Sequence, residues 1–253
     1  TANEKIDGLR RDIDSFVTSG DNSVRFENEP GGTHKLMRLV VGKRPDAQWD
    51  VEIGSVSVLL RSVLDVAVTQ LSRGRQGRPK KPSFPIFVFK THKTRKSTYV
   101  KSKGGQRGVS HLRPNEQEII EKAQPYHAGN LRWKHPLWIL HELSNMDKHN
   151  ALTEASVSVG SSTYFFPIPC HYTKGMTFRT GVPFEDGAIL CRVGREVNVK
   201  PKHGVAIRFA KGCPAEGEVA LEVLNNIEGQ VRQILSEFVS LHPVSNLDVP
   251  HHA

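Results

Sequence analysis

The segment from Leu137 to His149 most constrains how this chain can fold, because it combines an apolar helix face with a dense polar cluster. Leu137, Trp138, Ile139 and Leu140 begin the segment, and its polar cluster follows within three turns: His141, Asn145, Asp147, Lys148 and His149. Polar groups beside an apolar face cost free energy unless they are paired with one another, with a second helix or with a ligand. We therefore expect a helix over about residues 136–152 that carries either a site or an interhelical network.

Positive charge is concentrated in one stretch of the chain. Residues 73–113 contain thirteen Lys and Arg and no acidic residue, whereas the remaining residues hold 22 Lys and Arg against 26 Asp and Glu. The net charge of +9 therefore comes entirely from this basic segment. Such a distribution is typical of a protein that binds RNA or another polyanion. The predicted nucleic-acid-binding residues are Arg73, Arg75, Arg78, Lys80, Lys81, Lys93, Arg95 and Lys96. The alternative is a solvated loop without a partner.

Hydrophobic spacing predicts the secondary structure. Apolar residues three and four apart predict helices over 3–19, 51–71, 116–123 and 216–241, besides the helix over 136–152. Alternation predicts a hairpin over 23–29 and 35–41 and four or five strands between 155 and 210. The class is therefore α+β: helices, including a buried pair and a long C-terminal helix, packed with a mainly antiparallel sheet of four to seven strands.

We expect one domain over residues 1–253. Gly and Pro interrupt the basic segment and predict a partly mobile loop insertion over 73–113, with one short strand at 84–89. Residues 243–253 are expected to form a flexible tail.

Several classes of protein are not favoured. The chain has no apolar run of roughly 18 residues and no secretory pattern at its start, which predicts a cytoplasmic protein without membrane contact. Cys170, Cys191 and Cys213 are widely spaced, so we expect buried thiols and not a disulfide framework or a zinc site. Neither a P-loop nor a dinucleotide fingerprint occurs, and no cofactor is predicted.

Four short motifs resemble a family of bacterial proteins of uncharacterised activity. They are Leu60-Arg61-Ser62-Val63-Leu64-Asp65, Phe84-Pro85-Ile86, Gln124-Pro125-Tyr126 and Asp147-Lys148-His149. The resemblance covers roughly residues 20–240 in element order. It implies site residues at Arg61, Asp65, Asn145, Asp147, Lys148 and His149. Where that family has His, Asn, His and Arg, this chain has Val58, Leu59, Val66 and Asn150, which implies a weakened or inactive member if the family is catalytic.

The two central helices also resemble, at the level of fold, the HEPN class of helical nucleic-acid-associated proteins. Ribonucleases of that class use an Arg-x(4 to 6)-His motif. Arg107 and His111 are one residue too close to match it, and they lie in the basic segment instead of on a helix. The likeness is one of fold and carries no function by itself.

The candidate residues allow more than one role. Arg61 and Asp65 are four residues apart on one helix face. The pair could be a structural ion pair, or Asp65 could hold the Arg61 guanidinium in position to bind a phosphate or carboxylate. His141, Asn145 and His149 lie along one side of their helix. That spacing suits an interhelical hydrogen-bond network, or a His149 base oriented by Asp147 or Asn145. A metal site matches poorly because Asn occupies the middle position.

Our first hypothesis is RNA binding through residues 73–113, with residual metal-independent ribonuclease activity centred on His149. In that mechanism Arg61 stabilises the phosphate and Lys148 assists. The alternative is a non-catalytic interaction protein, whose basic segment meets an acidic partner or a second copy of the chain in a homo-oligomer. A third option is a small-molecule hydrolase with Arg61, Asp147 and His149 around its pocket. The sequence leaves open whether the protein is an enzyme.

Overall fold

The computed structural model describes residues 1–91, 98–148, 155–159, 177–178, 182–195 and 206–242. Within this part of the chain there are five α-helices: α1 (Ala2–Thr18), α2 (Gln48–Leu71), α3 (Pro114–Lys122), α4 (Pro136–Lys148) and α5 (Ala220–Leu241). Two 3-10 segments, Gln106–Val109 and Pro125–Lys134, flank α3. None of the described helices is long and apolar enough to cross a membrane.

The described strands form two antiparallel sheets. They are β1 (Asn22–Asn28), β2 (His34–Val41), β3 (Ala155–Val159), β4 (Thr177–Phe178), β5 (Val182–Pro183), β6 (Ile189–Gly194) and β7 (Ala206–Phe209). The first sheet has the order β1-β2-β6, with the two-residue strand β4 beside β6, and the second has the order β5-β3-β7. The α+β class is confirmed, but the strands that we expected in one sheet of four to seven are divided between these two.

Most predicted elements are found where the apolar spacing placed them. The hairpin of β1 and β2, helices α1, α2 and α3, and the long C-terminal helix α5 all agree with the prediction. The strand predicted at 84–89 is wrong, because the structure has extended backbone without strand pairing there. Three other predictions lie outside the described residues: one of the strands predicted between 155 and 210, at 196–199, the last residues of the helix predicted over 136–152, and the tail at 243–253.

The chain is organised into two compact units. The first comprises residues 1–56 and 150–224, and the second comprises 57–149 and 225–253. In the first unit, α1 buries Ile6, Leu9, Ile13 and Phe16, and Phe16 meets Trp49 edge to face at 5.3 Å between ring centroids. The first sheet of this unit has its own apolar core: Met37, Leu39, Leu190, Cys191 and Val193.

The second unit is helical, and its helices bury their predicted apolar faces. The fully or almost fully buried residues include Leu64 and Val68 of α2, Ile120 of α3, Leu137 and Leu140 of α4, and Ile227 and Ile234 of α5. The basic segment contributes to the same core through Phe84, Tyr99, Val109 and Leu112. The described part of that segment therefore contributes buried side chains to the second unit, and its predicted partial mobility stays a prediction.

Candidate functional site

Arg61 and Asp65 are brought together at the carboxyl-terminal half of α2, where they bind the backbone of Phe84. Arg61 Nη2 donates to the Phe84 carbonyl at 2.6 Å and lies 3.1 Å from Asp65 Oδ1. The same Asp65 oxygen accepts the Phe84 N–H at 2.9 Å. One ion pair thus satisfies both polar backbone groups of a residue whose side chain is completely buried.

Gln124, at the end of α3, binds the next residues of the same segment. Its Oε1 accepts the Phe87 N–H at 3.0 Å, and its Nε2 donates to the carbonyls of Pro85 and Ile120, each at 2.8 Å. These side-chain hydrogen bonds replace the backbone hydrogen bonds that a neighbouring strand would provide. The extended stretch Phe84–Phe87 is therefore held between α2 and the end of α3 without belonging to a sheet.

The electrostatics of Arg61 fit a structural role. The Arg61 side chain is only 13% exposed, and burial lowers its pKa while the charge and hydrogen bond of Asp65 oppose that shift. Nη1 of Arg61 is buried and has no hydrogen-bond partner among the described residues. The other guanidinium edge is directed at Phe84 and Asp65, so this pair first of all fixes the Phe84 segment.

The polar cluster of α4 forms its observed contacts along its own helix. Asn145 Nδ2 lies 3.1 Å from His141 Nε2, one turn away, and the His141 ring lies 5.3 Å from that of Trp138. Burial raises the pKa of the neighbouring Glu142. Within the described part of the chain, neither Arg61 nor Asp65 makes a hydrogen bond or ion pair with α4.

Three of the predicted catalytic residues lie partly or wholly outside the described part of the chain. Asp147 and Lys148 belong to the last turn of α4, but their side chains are outside the described residues, as is the whole of His149. Their proposed roles stay predictions. No group of three His, Cys, Asp or Glu within the described ranges could hold a metal ion.

The start of the basic segment is fixed by a buried carboxylate that the sequence did not single out. Glu116, in the first turn of α3, has no exposed side-chain surface. Its carboxylate accepts hydrogen bonds from both terminal nitrogens of Arg75 at 2.7 and 2.8 Å and from the Arg113 N–H at 2.7 Å. It also accepts a hydrogen bond from His242 Nε2 at 2.9 Å. Arg75, predicted as a phosphate ligand, is therefore engaged inside the protein.

The pKa of Glu116 follows from the same contacts. Burial acts to raise this pKa, but the hydrogen bonds from Arg75, from the Arg113 backbone and from His242 outweigh burial and lower it overall. Glu116 stays ionised near neutral pH and neutralises the Arg75 charge. The carboxylate joins the residues after α2, the beginning of α3 and the end of α5 within the second unit.

The other described cations of the basic segment are directed at solvent. Exposed residues are Arg73, Arg78, Lys80, Lys81, Lys90, Lys101, Lys103, Arg107 and Arg113. Lys93, Arg95 and Lys96 lie outside the described residues. Of the exposed cations, Lys90 forms an ion pair with Glu121 at 2.7 Å. The packed backbone therefore presents a series of positive charges on one unit.

Tyr99 and Phe89 are aromatic residues of the basic segment, and Trp133 contacts Phe89 from outside the segment. Tyr99 is buried, and burial followed by the charge of Glu121 raises its pKa to about 12. Phe89 is half-buried and contacts Trp133 at 5.8 Å. Trp133 is 41% exposed. The sequence signal that could have identified Trp133 is its position between two cations, Arg132 and Lys134, a few residues after Gly129.

The described thiols carry no sign of a reactive site. Cys191 is buried in the first sheet, and burial raises its pKa to about 11, so the inert thiol form dominates near neutral pH. Cys213 is half-buried, and Cys170 lies outside the described residues.

Comparisons of the chain with protein-family models, with curated proteins and with solved structures find no match. The family resemblance suggested by the four motifs therefore stays a prediction. Any function proposed for this chain rests on the geometry of the site itself.

Proposed function

We propose that this chain binds RNA through the cations of the basic segment. One observation carries the proposal: every described Lys and Arg of residues 73–113 except Arg75 is exposed, while Phe84, Tyr99, Val109 and Leu112 of the same segment are buried. A cation array anchored at these buried positions loses less conformational freedom when it binds than an unanchored loop would. It can therefore neutralise several phosphates at once.

The distribution of charge supports the same function. The residues outside the basic segment are net acidic, with 22 Lys and Arg against 26 Asp and Glu, so the positive field is strongest around this segment. Affinity from such a field depends little on sequence and falls with salt, because binding releases counterions from the phosphates.

The test is the binding of a fluorescently labelled RNA of twenty nucleotides, measured by anisotropy across a series of NaCl concentrations. The triple variant Arg78→Glu, Lys80→Glu, Lys81→Glu should bind at least about tenfold more weakly. The slope of log affinity against log salt should become shallower by about 0.7 for each phosphate that the variant no longer neutralises.

A matched control carries the same charge change on exposed residues of the first unit: Lys5→Glu, Arg11→Glu and Arg44→Glu. This control should stay within about threefold of the unchanged protein, because none of its three residues belongs to the basic segment. Equal reductions of affinity in the two variants, or an affinity indifferent to salt, would contradict RNA binding by the basic segment.

Ribonuclease activity stays a separate prediction. Arg61, the expected phosphate stabiliser, donates to Phe84 and to Asp65, so the proposal of RNA binding does not depend on cleavage. His149→Ala should leave RNA affinity unchanged. Loss of a measurable cleavage rate in that variant, with an unchanged melting temperature, would support the catalytic role of His149.

A second candidate function, protein interaction, is favoured by the outward face of α2. Leu59, Val63 and Val66 are exposed on successive turns, and the only charged residues of α2 after Ser57 are Arg61 and Asp65, which bind Phe84. An exposed apolar row of this kind often marks an interface. A mass that rises with concentration and returns to the monomer in Val63→Lys would identify self-association through α2, and a monomer at all concentrations would exclude it.

A further inference from the structure

Trp133 presents an aromatic surface beside the basic segment. It lies in the 3-10 segment Pro125–Lys134, and 41% of its surface is exposed although it contacts two other aromatic rings. Phe89, one of these rings, belongs to the basic segment and precedes Lys90. Folding alone does not account for this exposure, since apolar area that stays in water gains nothing from burial.

The Trp133 ring is held by its neighbours. Phe89 and Trp138 meet it edge to face, with centroids 5.8 and 5.3 Å away and planes inclined at 76° in both cases. The Arg132 guanidinium carbon lies 4.9 Å from the Phe89 centroid and 5.8 Å from that of Trp133. These contacts fix the orientation of the indole before any ligand arrives, which lowers the entropic cost of stacking on it.

The turn before Trp133 depends on one glycine. Gly129 has φ 58° and ψ −119°, a conformation that residues with a side chain rarely adopt. Its carbonyl accepts a hydrogen bond from Arg132 Nη1 at 3.1 Å. The backbone reversal and the Arg132 bond together place Trp133 against Phe89.

We propose that Trp133 is a base-stacking platform, and that the RNA bound by the basic segment is single-stranded at this position. This inference rests on the proposed RNA binding. Bases in a duplex are already stacked on their neighbours, whereas unpaired bases can lie against an aromatic ring. The Trp133 ring, which lies beside Arg132 and contacts Phe89 of the basic segment, would hold a base while exposed cations of that segment meet the adjoining phosphates.

The experiment compares a labelled single-stranded RNA of fifteen uridines with a blunt RNA duplex of fifteen base pairs, both at low salt. Trp133→Ala should weaken binding of the single strand about five- to a hundredfold, the range expected for one stacked base. Duplex affinity should change less than about twofold, since phosphate contacts dominate there. Trp133→Phe should keep most of the single-strand affinity.

Leu131→Ala is the matched control, because Leu131 is 64% exposed in the same segment and has no ring. It should bind both ligands like the unchanged protein. Tryptophan fluorescence gives an independent readout: the single strand should quench the unchanged protein and quench Trp133→Phe much less.

The outcomes separate the two proposals. If Trp133→Ala weakens binding of the single strand and the duplex equally, or if Leu131→Ala weakens binding of the single strand as much, the stacking platform is overturned while RNA binding by the cations stands. If the unchanged protein binds neither ligand at low salt, both proposals are overturned.

Discussion

Glu116 shows how one residue can determine the geometry of a charged segment. It lies at the centre of four hydrogen bonds in the second unit, and its side chain is completely buried. A buried carboxylate is tolerated only because Arg75 balances its charge and the other donors complete its hydrogen bonds. The residue therefore fixes where the basic segment begins.

We expect Glu116→Gln to lower the free energy of unfolding by about 3–5 kcal/mol, because the Arg75 charge is then left buried without its counterion. Urea denaturation measures the change. Glu118→Gln, at an exposed position of the same helix, should change it by less than about 0.5 kcal/mol. Similar decreases in the two variants would show that burial of Glu116 has no special importance.

The pH dependence of stability follows from the lowered pKa of Glu116. Its contribution is complete above the ordinary value of 4.5 and is lost as the pH falls below that value, since the unfolded chain takes up the proton first. The contribution of Glu116 to the free energy of unfolding should be nearly constant from about pH 7 to 5 and decrease at lower pH. In Glu116→Gln the free energy of unfolding should decrease less steeply at low pH. An unchanged slope would exclude Glu116 as a cause of the decrease.

Among the elements of the second unit, the stretch Phe84–Phe87 is extended but unpaired with any described strand. Arg61 and Asp65 of α2 form hydrogen bonds with the backbone groups at its first residue, and Gln124 forms hydrogen bonds with backbone groups further along it. Three of the four sequence motifs that suggested a family therefore meet in one arrangement. Their residues are explained by the need to satisfy a buried backbone without a sheet.

Removing the acceptor at Asp65 should destabilise the second unit. Asp65→Ala leaves the Phe84 N–H and part of Arg61 unsatisfied, at a cost of about 1–3 kcal/mol. Asp65→Asn keeps an oxygen for the Phe84 N–H and should cost less. Amide hydrogen exchange at Phe84 gives a local readout, and exchange that stays equally slow in Asp65→Ala would refute this bond's role.

Two glycines should respond in opposite directions to the same substitution. Gly129→Ala forces a side chain into the strained conformation before Trp133 and should cost about 1–3 kcal/mol. Gly229, inside α5, has open space around it, so Gly229→Ala should stabilise by about 0.5–1 kcal/mol through helix propensity. Thermal unfolding of both variants measures the change in stability. A change of the same sign in both would contradict the backbone geometry assigned to the two glycines.

In the molecule as a whole, charge is separated along the chain. The basic segment carries the net positive charge, and the remaining residues are net acidic. Like charges fixed on one folded surface repel one another, and this repulsion opposes folding until salt or a polyanion screens it.

We therefore expect the melting temperature to rise between about 50 and 300 mM NaCl, because the Debye length shortens over this range. The triple variant Arg78→Glu, Lys80→Glu, Lys81→Glu should show a smaller rise, since fewer like charges remain. Differential scanning calorimetry measures both. A melting temperature that falls with salt in the unchanged protein would mean that attractive pairs dominate its electrostatics.

The helices, the first hairpin and the concentration of charge could all be predicted before the fold was known. Periodicity is a local property, so the spacing of apolar residues was enough to locate α1, α2 and α5 and to pair β1 with β2. Charge can likewise be counted without knowing where each residue lies in space.

Only the tertiary structure shows which polar groups form hydrogen bonds with one another. The apolar residues of the Phe84 segment predict a strand, but its backbone partners are side chains from α2 and the end of α3. Glu116 resembles any other acidic residue in the first turn of a helix until Arg75 and His242 are seen around it. Such partners are separated by tens of residues, and hydrogen bonding over that separation leaves no periodic signal along the chain.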